Sequence, residues 1–497
     1  MGSRTAHASG PDEFRLPEYF YGYAVFTGLG LFFLYVWLRI EPAIEYQHSA
    51  PVFLLANSFF SPFLKYPGGL LDYASAFLSQ LNYYGWLGAL VYALLAVSLC
   101  VVARSLLLRS NRIGANTAPF LIIFLLLLIR EQYDCPALAL SLGALVSLAG
   151  AVVCCAIPKV LLRVLAAWVL APLVFYCAGI WPCVLLLLLM GLIEGRRKRF
   201  RSAGLLWAPL ILAAGIAWLR WAHLGAFLRL NPGCEGALAW VLVSALYGTV
   251  PLLLLLPEAR RPEAENPKPA KPKRGSRAAA PAWFRRSKPR WALSACGFLI
   301  GWLAVWMGLA EPRKRLAELD YDVGHGDYTR AIEVAARVSR AQMDVASELR
   351  LQLALYHTGR LGNDLFSYRN QTSWDPLPGL GGGLNTCRAQ SRILLELGLV
   401  SEAEHLAHEA LETDGERPEL LRTLAEVNIL KARPAAARVF LNVLGEVPFW
   451  KRESQTWLRG LETDPQLRDN PEVAGVGRLM LTNDLAHQAF PVEGMLV

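Results

Sequence analysis

The chain changes character near residue 310, and that change constrains the fold more than any motif. Before it stand successive apolar stretches, several reaching the roughly 20 residues needed to cross about 30 Å of hydrocarbon. After it charged residues return, and apolar ones recur at helical spacing. Of the 497 residues 54 % are hydrophobic and 18 % charged, against about a quarter charged in a soluble domain. A soluble all-helical protein fits this poorly. The expected fold class is all-α: a polytopic helical membrane domain followed by a soluble, tetratricopeptide-like helical repeat domain.

Nine spans are expected, at about 19–39, 86–108, 115–130, 137–157, 160–178, 182–195, 203–222, 237–257 and 291–310. The pair 160–195 also reads as one element broken around Gly179 and Pro182. No small-x-small cleavage site follows the first run, Tyr19 to Leu38, which reads as an uncleaved signal anchor.

Charge sets the orientation. Residues 311–497 hold 21 Lys and Arg against 27 Asp and Glu, a net of −6, whereas residues 1–310 hold 28 against 13, a net of +15. Much of that excess lies in the Arg196–Arg201 cluster and between Arg260 and Arg290. Basic loops beside spans mark the cytoplasmic face, which explains these clusters without nucleic acid. The expected domains are 1–257, polytopic with an outer loop at 41–85; 258–290, a basic Pro-rich cytoplasmic linker; 291–310, the last span; and 311–497, the repeats. With the N-terminus inside and nine spans, the repeats lie in the periplasm and the chain in a bacterial inner membrane. One span more or fewer would reverse their side. The nine cysteines form no CxxC pair and no Cys/His metal spacing, so no metal site is expected.

The outer loop carries the candidate chemistry. Pro51 to Tyr66 and Leu70 to Tyr84 are apolar but too short to span, and Pro67-Gly68-Gly69 separates them. Both fit helices lying at the membrane surface, with Tyr and Phe at headgroup level. Glu41 and Glu45 follow the first span and Asp72 follows the Gly-Gly turn, while Glu131 and Asp134 lie in the next outer loop. A carboxylate near the bilayer is costly unless paired or wet, which makes these five the candidate catalytic groups. Local ion pairs that end a helix are the simpler reading of Arg130 with Glu131 or Asp134.

A first span, an acidic residue at its outer end and a long loop with two juxtamembrane helices resemble the membrane glycosyltransferases of the GT-C fold. That resemblance implies a lipid-phosphate-linked sugar donor and a loop carboxylate as base or metal ligand. Glu41 or Glu45 would hold that place, with Glu131 or Asp134 as a second acidic site. A carboxylate would take the acceptor's proton, and Arg130, His223 and Arg229 would neutralise the donor phosphate. The segment Pro67, Gly68, Gly69, Tyr73 is also similar to one in a family of bacterial integral membrane proteins with no assigned activity.

After residue 310, turn signals stand at Gly326, Gly359, Gly398 and Lys431, separated by 33, 39 and 33 residues. This is close to the 34 of tetratricopeptide repeats, a resemblance that implies a concave groove for a peptide or protein partner. Packing against the chain's own membrane domain would use the same surface. Two functions follow: a membrane transferase using a lipid-linked donor, or a non-enzymatic scaffold recruiting partners for envelope assembly. A transporter is weaker, because the spans hold few charges and show no inverted repeat.

Overall fold

The structure, a computed structural model, describes residues 18–46, 52–110, 118–133, 136–197, 204, 237–255, 303, 311–339, 342–368 and 386–481. Every regular element among them is helical. The chain forms two compact units, one from Met1–Ile40 with Ala89–Leu309, the other from Glu41–Gly88 with Ala310–Val497.

In the first unit, helices Glu18–Tyr35, Gly85–Arg109, Ala118–Arg130, Ala137–Ala156, Val160–Ala178, Ile180–Arg196 and Ala237–Leu255 coincide with expected spans. Three of them, Gly85–Arg109, Ala137–Ala156 and Val160–Ala178, are long and apolar enough to cross a membrane. The expected spans at 203–222 and 291–310 lie outside the described residues, save 204 and 303. The 160–195 element is two helices, parted at Gly179 with φ +88°. Large apolar side chains face outward as well as inward, and a charged pair lies within. Leu161 and Val169 are 71 % and 73 % exposed, whereas Arg163 and Glu194 are buried as an ion pair. Arg163 also donates to the Ile157 carbonyl at 2.7 Å, satisfying the end of the Ala137–Ala156 helix. Ser147 donates to the Pro182 carbonyl at 2.8 Å, and at Gly150 a Cβ would stand 3.0 Å from Leu170. Small residues thus set close helix approach here.

The second unit stacks helix hairpins: Glu311–Gly324 with Tyr328–Ala335, Val345–His357 with Leu361–Tyr368, Cys387–Glu396 with Val400–Asp414, and Pro418–Leu430 with Pro434–Glu446. Helices Lys451–Thr463 and Pro471–Leu479 follow. Their starts are chemically marked. Asp344 accepts from the Ser347 N–H at 2.7 Å, Asn470 accepts from Glu472 at 2.9 Å, and Pro418, Pro434 and Pro471 occupy first turns.

The four turns share one geometry. Gly326, Gly359 and Gly398 have φ of +77°, +69° and +80°, and the fourth left-handed residue is Ala432 at +54°. The next residue each time donates its N–H five residues back: Asp327 to Asp322, Arg360 to Leu355, Leu399 to Leu394 and Arg433 to Asn428. This pattern closes helix C-termini with glycine at the left-handed position. Ala432 is exposed and buries nothing, so Ala432→Gly removes left-handed strain and adds only unfolded-chain freedom. It is expected to stabilise the unit by about 0.5–1 kcal/mol, read as a higher thermal midpoint.

Segment 41–88 belongs to this unit. Its helices are Pro42–Tyr46, Asn57–Phe63 and Gly69–Ser79, with a 3₁₀ turn at Gln80–Tyr83 and Gly68 at φ +90° between the last two helices. Part of the apolar surface expected on a membrane instead meets protein, while Leu55, Leu64 and Phe77 stay exposed. Leu54 is buried in one core with Leu441, Val447 and Trp457, and Phe59 packs against it. The Leu55 N–H donates to the Glu446 carbonyl at 2.9 Å.

Candidate functional site

Where segment 41–88 meets the hairpins, the second unit encloses a cavity of about 570 Å³. Tyr46, Gln80, Tyr83 and Tyr84 line it from the segment. The first helices of successive hairpins supply Asp320, Arg350, Arg388 and Arg392, and Arg417 and Arg422 stand at the start of the next. Arg388 and Arg392 are one turn apart on one helix, which puts both guanidiniums on the same face.

Every one of these arginines meets a carboxylate. Asp320 bridges Arg350 and Arg388, the latter at 2.8 Å, and Arg388 reaches Glu419 at 3.2 Å. Arg392 pairs with Glu396 at 3.0 Å and Glu426 at 3.1 Å. Arg422 meets Glu472 and, at 3.3 Å, Glu453, while Arg417 stands 4.0 Å from Asp414. Burial works against the Arg388 charge, yet Asp320, Glu419 and Asp414 outweigh it and lift its pKa. Arg417 is held below its ordinary value, by burial first and then by neighbouring Arg388. Burial also pushes the Tyr46 hydroxyl up to about 12. Fixed guanidinium–carboxylate pairs in a low-dielectric wall give direction to any ligand's hydrogen bonds.

Aromatic rings form one end. Tyr83 stacks on Phe449 with centroids 4.8 Å apart, and Tyr46 and Tyr84 meet Tyr83 edge-on at 5.5 and 5.1 Å. Phe449 holds a φ of +71°, a strained conformation for a bulky side chain.

The residues singled out from sequence stand elsewhere. Glu41, at φ +55°, takes an ion pair from Lys314 at 3.0 Å, and Lys314 also reaches Glu318 at 3.1 Å. Glu45 is buried on its short helix, and Asp72 accepts the Tyr66 hydroxyl at 3.0 Å. None of these three lines the cavity. Glu131 belongs to the first unit, fully buried, where it accepts the Tyr35 hydroxyl at 2.7 Å. Arg130 beside it lies 4.1 Å over the Tyr92 ring centroid. Just before Glu41 the chain makes a π-helical turn, Val36–Ile40, whose last carbonyl accepts the Tyr133 hydroxyl at 2.9 Å. Asp134, His223 and Arg229 lie outside the described residues. Among the described residues the cavity thus gathers arginines with their own carboxylate partners and tyrosines, while Glu41, Glu45, Asp72 and Glu131 are not on its lining. The sequence signal was arginine recurring on the first helix of each hairpin.

A family model described as a family of unknown function, DUF6057, matches residues 18–495. The chain belongs to this family. The match runs across residues of both units. No curated protein and no solved structure matches.

Proposed function

We propose that this protein is a multi-pass membrane protein whose second unit is an outward-facing binding module, acting as a scaffold in envelope assembly. The observation that carries the reading is the cavity built jointly by segment 41–88 and the C-terminal hairpins. If the segment after the first span folds with residues 310–497, both occupy one side of the bilayer, and an even number of spans must separate them. The eight spans read between residues 86 and 310 satisfy that requirement. The basic loops then lie inside and the module outside. The hairpin spacing supports a tetratricopeptide-like groove that takes a partner.

Binding is preferred to transfer. A transferase of the expected kind needs Glu41 or Glu45 ready to take a proton, but Glu41 holds Lys314 and Glu45 is buried.

Cysteine labelling tests the arrangement. Cys387 is only 6 % exposed, so engineered positions serve better: Ser61→Cys in the segment and Glu412→Cys among the hairpins, both exposed. With the outer envelope permeabilised, a membrane-impermeant maleimide is expected to label both above the native background. Labelling of one and protection of the other would refute the reading.

A further inference from the structure

We infer that the cavity of the second unit binds a neutral oligosaccharide, a ligand class that rests on the binding-module reading above. Three independent features select it.

Charge comes first. The five wall arginines are met by seven carboxylates in the same network. Such a wall has no positive surplus to recruit a polyanion. It offers closely spaced donors and acceptors in planar pairs. A sugar hydroxyl is donor and acceptor at once, and adjacent hydroxyls match paired groups of both kinds.

Next come buried polar atoms that the protein leaves unmatched. Gln80 is 3 % exposed and lines the cavity, and its Oε1 has no hydrogen-bond partner. The Trp450 indole N–H, also on the cavity wall, lies near the Tyr46 hydroxyl but outside hydrogen-bond geometry. Buried groups of this kind destabilise the fold unless something meets them. One asks for a donor and the other for an acceptor. Hydroxyls answer both; a carboxylate or phosphate answers only the second.

The aromatic end is the third feature. Tyr83, Tyr84 and Phe449 remain 37 %, 47 % and 41 % exposed beside this polar wall. Tyr83 and Tyr84 line the cavity, with Phe449 backing Tyr83, and an exposed aromatic ring there suits the C–H face of a sugar ring. Phe449, stacked on Tyr83, also holds a strained left-handed backbone, and such strain gathers at ligand sites. A peptide would want deep apolar pockets for anchor side chains with few charges among them, whereas this wall is dominated by ion pairs. The volume of about 570 Å³ lies within the range of small-ligand sites, about 300–1,000 Å³.

The test uses the full-length protein in detergent micelles on a surface carrying neutral gluco-, manno-, galacto- and N-acetylglucosaminyl hexaoses. Hexagalacturonate and an unstructured Ser/Thr/Ala peptide represent the charged and peptide alternatives. At least one neutral hexaose is expected to bind, with little dependence on salt. Gln80→Met, which keeps the shape and removes the acceptor together with the long Nε2 bonds to Ala76 and Ser79 at 3.4 and 3.5 Å, is expected to weaken that binding about tenfold. The same variant should hold or raise the thermal midpoint, because it deletes an unmatched buried oxygen; a purely structural glutamine would lower it. Tyr84→Ala, at an exposed ring, is the second variant and should also weaken binding. The inference is overturned if no neutral hexaose binds, if only hexagalacturonate or the peptide binds, or if both variants bind as the native chain does. Failure here with both engineered cysteines labelled leaves the outward binding module standing, whereas opposite-side labelling removes the module itself.

Discussion

Gly398→Ala is expected to destabilise the second unit by roughly 3–4 kcal/mol, by two mechanisms acting at one atom. The residue sits at φ +80°, where any Cβ is strained, which accounts for about 1–2 kcal/mol. That Cβ would also stand 2.2 Å from the Leu479 carbonyl oxygen and 2.5 Å from its carbon. These are backbone atoms, so relief requires the Pro471–Leu479 helix to move away. Such movement would break the Leu481 N–H bond to the Gly398 carbonyl, at 3.2 Å, and loosen Val476 from the core it shares with Leu395 and Val427. Gly359→Ala supplies the control. Its φ is +69°, but nothing lies within 4 Å of the added Cβ, so only the backbone cost of about 1–2 kcal/mol remains. Denaturant unfolding of the two variants, followed by tryptophan emission, separates the contributions. Equal losses would mean that the close approach to Leu479 does not hold the last helix.

The turns were legible because glycine carries a backbone requirement that no other residue meets cheaply. Gly326, Gly359 and Gly398 all adopt the left-handed conformation. The fourth turn was found at Lys431 through spacing, although its left-handed residue is Ala432. Helix positions in the first unit were legible from apolar run length alone. Segment 41–88 was not legible in the same way. An alternating aromatic and aliphatic face satisfies lipid headgroups and a protein core equally well, so Leu54 and Phe59 gave no sign of packing against Leu441 and Trp457. Only a long-range partner decides that choice, and a single sequence does not display partners.

The partners of the candidate carboxylates are not legible in the sequence for a related reason. Carboxylates near a bilayer attract notice because their isolated burial is expensive, yet Glu41, Asp72 and Glu131 each have a specific answer in Lys314, Tyr66 and Tyr35. Charged residues on amphipathic helices, by contrast, read as solvated faces. Arg388 and Glu426 are of that kind in sequence, but they are buried in the structure. What distinguishes them is a partner in another hairpin: Arg388 reaches Asp320, two hairpins and 68 residues earlier, and Arg392 reaches Glu426, one hairpin and 34 residues later.

Asp320→Ala tests whether that network is as strongly coupled as its geometry indicates. Asp320, with a side chain 6 % exposed, is bonded to the guanidiniums of both Arg350 and Arg388, themselves 12 % and 11 % exposed. Removing it leaves two buried cations facing one another without the shared anion. Breaking a buried pair from one side costs about 3–5 kcal/mol; Glu419 still serves Arg388 at 3.2 Å, which places the expectation at roughly 3 kcal/mol. Arg350→Met should be much milder, about 1 kcal/mol or less, because Asp320 keeps Arg388 and no orphaned charge results. The asymmetry is the informative quantity, since loss of a simple pairwise attraction would make the two variants equal. Combining Asp320→Leu with Arg350→Met should recover much of the loss suffered by Asp320→Ala. That double variant removes one charge of each sign and restores apolar volume, leaving Arg388 to Glu419 and to Asp414 at 3.8 Å. A double variant as unstable as Asp320→Ala would instead make Asp320 essential to Arg388 and to the shape of the cavity wall.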